Sequence, residues 1–179
     1  MISETTSRQL VFECLMTLVQ SISRIKYGRN THMPTAEQVR NKVLRIMANK
    51  FTIKTTDDEE IMLFHESAAC LVRVVDWDKE REGRNTLIQV SAPILWNVKR
   101  TPALYEWVAT EGQTYDIGRI ACNNSDKSGE TNVEFEHNLL GDNLDEPELT
   151  TTVVQLLSQA NDLDDELQRK FGGKRAEDL

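Results

Sequence analysis

The sequence predicts an α+β fold, with helices layered on one antiparallel sheet. Three observations carry this. Apolar residues recur at helical spacing up to residue 50 and again from Leu149 to Leu167, but alternate with polar ones from residue 51 onward. The connections between successive strand candidates are too short for the helical crossover that a parallel pair needs. The last helical stretch carries a seam regular enough to demand a continuous surface to pack on.

The first helix spans about residues 5–27. Leu10, Cys14, Leu18 and Ile22 recur every fourth residue beside Val11, Leu15, Val19 and Ile25, and Gly28 with Arg29-Asn30-Thr31 ends the pattern. It reads as an N-terminal helical extension, residues 1–30, ahead of a single domain over residues 31–179. Leu10 to Val19 matches a signal core in length, but Glu13 interrupts it, Glu4 stands where a signal is basic, and no small-residue cleavage site follows. No export signal is expected. Thr35 and Gln38 form a capping box opening a second helix, whose buried face is Val39, Val43, Ile46 and Met47.

From Phe51 the period is two. Phe51, Ile53 and Thr55 alternate with polar residues, Asp57 to Glu60 makes a solvated turn, and Ile61 to Phe64, Ala68 to Val75 and Thr86 to Val90 follow as β-branched or apolar runs. This stretch reads as a three-stranded meander with a charged connection at Asp78 to Arg84. Thr101 as N-cap and Pro102 at the first helical position open a short helix, with Leu104, Tyr105, Trp107 and Val108 on its apolar side and Gly112 at its end. Strands near Tyr115 to Ala121 and Thr131 to His137 flank a polar loop, Asn123 to Gly129. Asp145 and Glu148 cap the last helix, and Leu149, Val153, Leu156, Ala160, Leu163 and Leu167 form its seam, widened by Val154 and Leu157. Phe171-Gly172-Gly173 stops it, and Lys174 to Leu179 reads as a frayed tail. The expected order is α-α-β-β-β-α-β-β-α.

A chain of 179 residues can bury a substantial core. Leu, Ile, Val and Phe supply about a quarter of it, above the roughly 20% that marks disorder. A net charge of −8 and pI near 5.0 argue against a nucleic-acid partner, which needs a cationic face. Three cysteines without CxxC spacing indicate a reducing, cytoplasmic setting, and no apolar run approaches a membrane span of roughly 20 residues. Residues 1–50 carry a balance of +5 and residues 51–179 one of −13. The basic helices are therefore expected to lie against the acidic body of the same chain or of a second copy.

Catalytic signatures are missing. His32, His65 and His137 have no partner at metal-ligand spacing, and HExxH, GxSxG, GxGxxG and Walker patterns do not occur. Gly141 to Asp145 reads as a capped turn rather than a calcium loop. Asp162, Asp164, Asp165 and Glu166 read as a solvated helix face. Cys14 and Cys70 read as small core residues, and Cys122 as the one exposed thiol, with nothing basic beside it to lower its pKa. No catalytic residue, metal ligand or cofactor is expected, which leaves surfaces. Trp107 is assigned to the core by its spacing with Leu104 and Val108, whereas Trp77 and Trp96 flank strands beside charged residues and are candidates for a recognition surface.

Several stretches resemble a known family: Ser91-Ala92-Pro93-Ile94-Leu95, Leu104-Tyr105-Glu106-Trp107-Val108-Ala109, His137-Asn138-Leu139-Leu140-Gly141-Asp142, and Ala160-Asn161-Asp162-Leu163-Asp164-Asp165-Glu166-Leu167 with Phe171-Gly172-Gly173. Together with the element order over about residues 35–171, they resemble the class I type III secretion chaperone fold and its YbjN-like relatives, specifically the actinobacterial YbjN-type peptide-binding chaperone-like proteins. The resemblance implies a non-enzymatic bacterial module that often dimerises and holds an extended or partly folded peptide on apolar sheet and helix surfaces. The helix at residues 5–27 precedes the shared pattern.

On this reading the chain binds a protein or peptide client and forms a homodimer. The client contacts are Val72, Val74, Leu87, Ile88 and Val90 on the strands, with Trp77 and Trp96 near their ends and acidic side chains at the rim selecting basic clients. Strand alternation lets only one parity of these face a client. The alternatives are a regulatory or structural homodimer whose apolar surface is permanently buried, and a hydrolase or small-molecule sensor built from distant carboxylates.

Overall fold

A computed structural model describes residues 34–56, 58–77 and 86–178 of the chain, all within one compact unit, Met33–Leu179. The expected helix at residues 5–27, Cys14, His32 and the connection at 78–85 lie outside the described residues. Helix α1 (Ala36–Lys50) starts where its capping box places it: the Thr35 hydroxyl accepts the Gln38 amide at 3.2 Å, and the Gln38 side chain accepts the Thr35 amide at 2.9 Å. These bonds satisfy two donors that a helix start leaves orphaned. Val39, Val43, Ile46 and Met47 form the buried face, as their spacing requires.

Six antiparallel strands follow: β1 (Ile53–Thr55), β2 (Ile61–His65), β3 (Ala68–Asp76), β4 (Thr86–Lys99), β5 (Arg119–Asn124) and β6 (Glu130–Leu140), ordered β1-β2-β3-β4-β6-β5. Helix α2 (Pro102–Thr110) links β4 to β5, and α3 (Glu146–Phe171) closes the unit. The α+β class and antiparallel sheet agree with expectation, and residues 51–65 supply two strands where one was counted. β4 runs on to Lys99 rather than ending at Val90, so Trp96 lies within a strand. Pro93, which has no N–H to donate, is accommodated because the β4–β6 register shifts between Pro93 and Leu95 and again before Val98. Asn97 takes a positive φ of 55° there, and its amide donates to Asn132 Oδ1 at 3.1 Å.

The core lies on one face of the sheet. Ile61, Leu63, Cys70, Val72, Ile88, Val90, Ala92, Ile120, Phe135 and Leu139 meet the buried stripes of α1 and α3. On α3, Leu149, Val153, Leu156, Ala160 and Leu167 are buried and Leu163 partly so. Of the two flanking residues Leu157 turns inward, while Val154 stays exposed. Trp107 is nearly buried, its ring 6.0 Å from that of Phe171. The basic α1 does lie against acidic parts of the same chain: Arg40 pairs with Glu59 at 2.6 Å and Lys50 with Glu146 at 3.2 Å.

Two expectations are corrected. Asp164 is not part of a solvated face: it is 5% exposed and accepts the Ser67 hydroxyl at 2.8 Å, which ties the β2–β3 turn to α3. The segment after α3 is not frayed. Lys174 exchanges both backbone hydrogen bonds with Trp96, at 2.7 and 2.9 Å, and residues Ala176–Asp178 form a 3₁₀ turn packed on β3 and β4.

Candidate functional site

Because strand side chains alternate, the residues between the core positions form the opposite face of the sheet, and no described helix packs on it. Two polar rows cross it. Arg73 on β3 stands opposite Gln89 on β4, which stands opposite Asn138 on β6. Two residues along, Leu71, Ser91, Glu136 and Arg119 are aligned across β3, β4, β6 and β5. Together they line a groove of about 460 Å³. Its charges are paired among themselves: Arg73 with Glu60, and Arg119 Nε and Nη2 with one Glu136 oxygen at 2.8 and 2.7 Å. Asn123 donates to Glu134 beside them. Such solvated pairs contribute at most about 1 kcal/mol each, so a ligand group can replace either partner at small cost.

An apolar row bounds the groove. Val75, Leu87 and Leu140 are aligned across β3, β4 and β6, with Leu140 56% exposed. Trp77, directly after β3, is 61% exposed. On the other side, half-exposed Phe64 lies under the Lys54 ammonium, 5.3 Å from its ring centre. A row of neighbouring apolar groups differs from the scattered ones found on any surface, because one ligand can desolvate them together.

The seven residues expected from the sequence do not form one surface. Val72, Ile88 and Val90 are buried under the helices, and Val74 packs against the same core. This is the helix-facing parity, so in this conformation these four are unavailable to a client. Leu87 and Trp77 lie outside the core, Leu87 on the open face. Trp96 is half-buried on β4, and its indole Nε1 is buried without an acceptor among the described residues. Sequence reasoning missed Arg73, Gln89, Arg119, Glu136 and Asn138. The signal was present, since Arg73 and Gln89 break apolar runs at positions of one parity and so mark the face that meets water.

The described side chains offer little for covalent chemistry. Burial pushes the Cys70 thiol far above its ordinary value. Cys122 is half-buried rather than exposed, and burial raises its pKa too, against smaller opposing effects from the Thr131 hydroxyl and Arg100. Neither is an activated nucleophile. Among the described residues no three His, Cys, Asp or Glu side chains gather as metal ligands, and no helix is long and apolar enough to cross a membrane.

Among solved structures the fold is similar to YbjN from E. coli, at a TM-score of 0.50 and 12% identity, covering 78% of this chain and 95% of that one. No curated protein matches the sequence. A family model described as "T3SS (YopN, CesT) and YbjN peptide-binding chaperone 1" matches residues 35–179. That match takes in every strand and helix described above, and the chain belongs to this family of type III secretion and YbjN peptide-binding chaperones.

Proposed function

We propose that the chain is a non-enzymatic module that holds a polypeptide client in extended form against the open face of its sheet. One observation supports this most: the apolar row Val75–Leu87–Leu140 lies uncovered beside a polar groove, among the described residues. The row supplies affinity by desolvation, at about 25 cal/mol per Å² of apolar area. The groove supplies Gln89, Ser91 and Asn138 for main-chain groups and exchangeable Arg and Glu partners for charged ones. Burial of roughly 800 Å² per partner is the scale expected of such a complex. The acidic balance of the unit favours basic clients, and its free thiols Cys70 and Cys122 suit a reducing cytoplasm.

The second reading is a homodimer that covers the same row, favoured by the exposure of Leu140. An unfolded model client, reduced and carboxymethylated α-lactalbumin, separates them. The client reading expects saturable binding by the wild-type chain that Leu87→Asp weakens about ten-fold without loss of cooperative folding. A wild-type chain that sediments as a dimer and binds no unfolded client defeats the client reading and favours the dimer.

A further inference from the structure

The segment after α3 occupies a place that belongs to a strand. β3 pairs with β4 only as far as Leu71 opposite Ser91, so the next stretch of β4 has lost its neighbour on that side. Lys174 takes the vacant position, exchanging both of its backbone bonds with Trp96. The approach is close. A Cβ on Gly173 would stand 2.8 Å from Val98 Cγ2 and 2.9 Å from the Trp96 carbonyl, and Gly173 also has φ of +93°. Only glycine fits there.

Side chains then hold the segment down. Gln168 of α3 donates to the Gly173 carbonyl at 3.4 Å and to Asp178 at 2.8 Å, and Arg175 reaches Asp165 of α3 as well as Glu177 and Asp178. The Arg175 guanidinium keeps the Asp178 carboxyl down at about 2, so the clasp stays charged throughout the ordinary pH range. The Trp96 indole N–H is buried with no acceptor among the described residues. The ion pairs of Arg175 have partly exposed carboxylate partners and contribute little each.

We propose that residues 172–178 are a resident pseudo-ligand, and that the slot beside Trp96 is a second binding site for an extended peptide carrying glycine followed by basic residues. The segment itself shows the chemistry the slot accepts: a glycine where no Cβ fits, a backbone donor and acceptor two-sided on Trp96, and a cation opposite Asp165. Binding there is strand addition to β4 and requires the resident segment to leave. The open face is not involved, and the peptide-binding reading is needed only for supposing that a client supplies the incoming strand.

The test uses the full chain and a fluorescein-labelled peptide of its own residues 171–178, FGGKRAED. Gly173→Val expels the resident segment by the clash with Val98, so the variant should bind the peptide about ten-fold or more tighter than wild type, whose slot is mostly closed. The same peptide with valine for its second glycine should not bind. In hydrogen exchange the Trp96 amide should lose protection in the variant and regain it with peptide. Should Gly173→Val fail to fold, Arg175→Ala loosens the clasp without the clash and gives the same comparison. A folded variant that binds no better than wild type, or takes the valine peptide equally well, overturns the proposal. Leu87→Asp leaves this binding unchanged, so failure here is distinct from failure at the open face.

Discussion

The Ser67 hydroxyl, in the turn between β2 and β3, donates to the Asp164 carboxylate of α3 at 2.8 Å, across 97 residues of sequence. Ser67 Oγ also lies 2.7 Å from Asn161 Oδ1, but a hydroxyl has a single proton. The Asn161 oxygen has the Ser67 amide at 3.4 Å, and its Nδ2 donates to Glu66, so the hydroxyl proton is left for Asp164. The turn is thereby fastened to the middle of the long helix by a charge-assisted bond at a buried site.

Ser67→Ala removes the donor and leaves a buried carboxylate oxygen short of a partner. The expected loss is about 1–3 kcal/mol, read as a lower urea midpoint at an unchanged slope. Asp164→Ala alone and the double variant complete a cycle. The double variant should lose less than the sum of the singles, because the two residues form one unit. Strict additivity would show that the bond contributes nothing.

Leu87 and Ile88 are neighbours in sequence with opposite roles, and Val90 shares the role of Ile88. Leu87→Asp places a carboxylate on the open face and should leave the melting transition within a few degrees of wild type while weakening client binding. Val90→Asp buries an unpaired charge beneath α3 and should cost about 4 kcal/mol or more, abolishing cooperative unfolding. Thermal melts of the two variants check this directly, and equal destabilisation would contradict the assignment of faces.

That pair also shows what the sequence could and could not disclose. Caps were legible because they are local: Thr35 with Gln38, Thr101 with Pro102, and Asp145 with Glu148 all stand where the pattern put them. The strand region was legible as to kind, since alternation and short connections suffice for an antiparallel sheet. Which parity faces the helices was marked only by Arg73 and Gln89, because Leu71, Val72, Val74 and Val75 are all apolar and say nothing by themselves; the pairing of β3 with β2 and β4 and the docking of α3 decide it. Asp164 was misread for a related reason: a charged residue within an acidic run says nothing of a serine 97 positions away. The segment after Phe171 looked loose because its partner, the unpaired side of β4, exists only once β3 has ended short.

Gly141 is set by packing rather than by backbone conformation. Its amide donates to the Thr86 carbonyl at 2.7 Å, and Asp142 accepts from both the Thr86 amide and hydroxyl, at 3.1 and 2.8 Å. A Cβ at Gly141 would stand 2.9 Å from Val39 Cγ1 and crowd Thr86 as well. Gly141→Ala is therefore expected to cost about 1–3 kcal/mol through overpacking, by pushing α1 from the start of β4. Val39→Ala frees part of that space at a packing cost of its own, so the double variant should lose less than the sum of the two singles, as a urea titration of all three would reveal.

Cys70 makes stability depend on pH in the alkaline range. Its thiol is buried in β3, and desolvation raises its folded-state pKa well above the unfolded value of about 8.5. Below that value both states are protonated and the group adds no slope. Above it the unfolded chain releases the proton while the folded one keeps it, so the unfolded state is favoured and stability falls as pH rises, by up to about 1.4 kcal/mol per pH unit from this group. Cys70→Ala should flatten the decline between pH 9 and 10 even though the cavity it leaves lowers stability overall. Iodoacetamide labelling of the native chain, mapped by peptide mass spectrometry, should spare Cys70 and modify Cys122 only slowly. Rapid native labelling at Cys70 would mean that β3 opens to solvent, and the alkaline slope would then have another source.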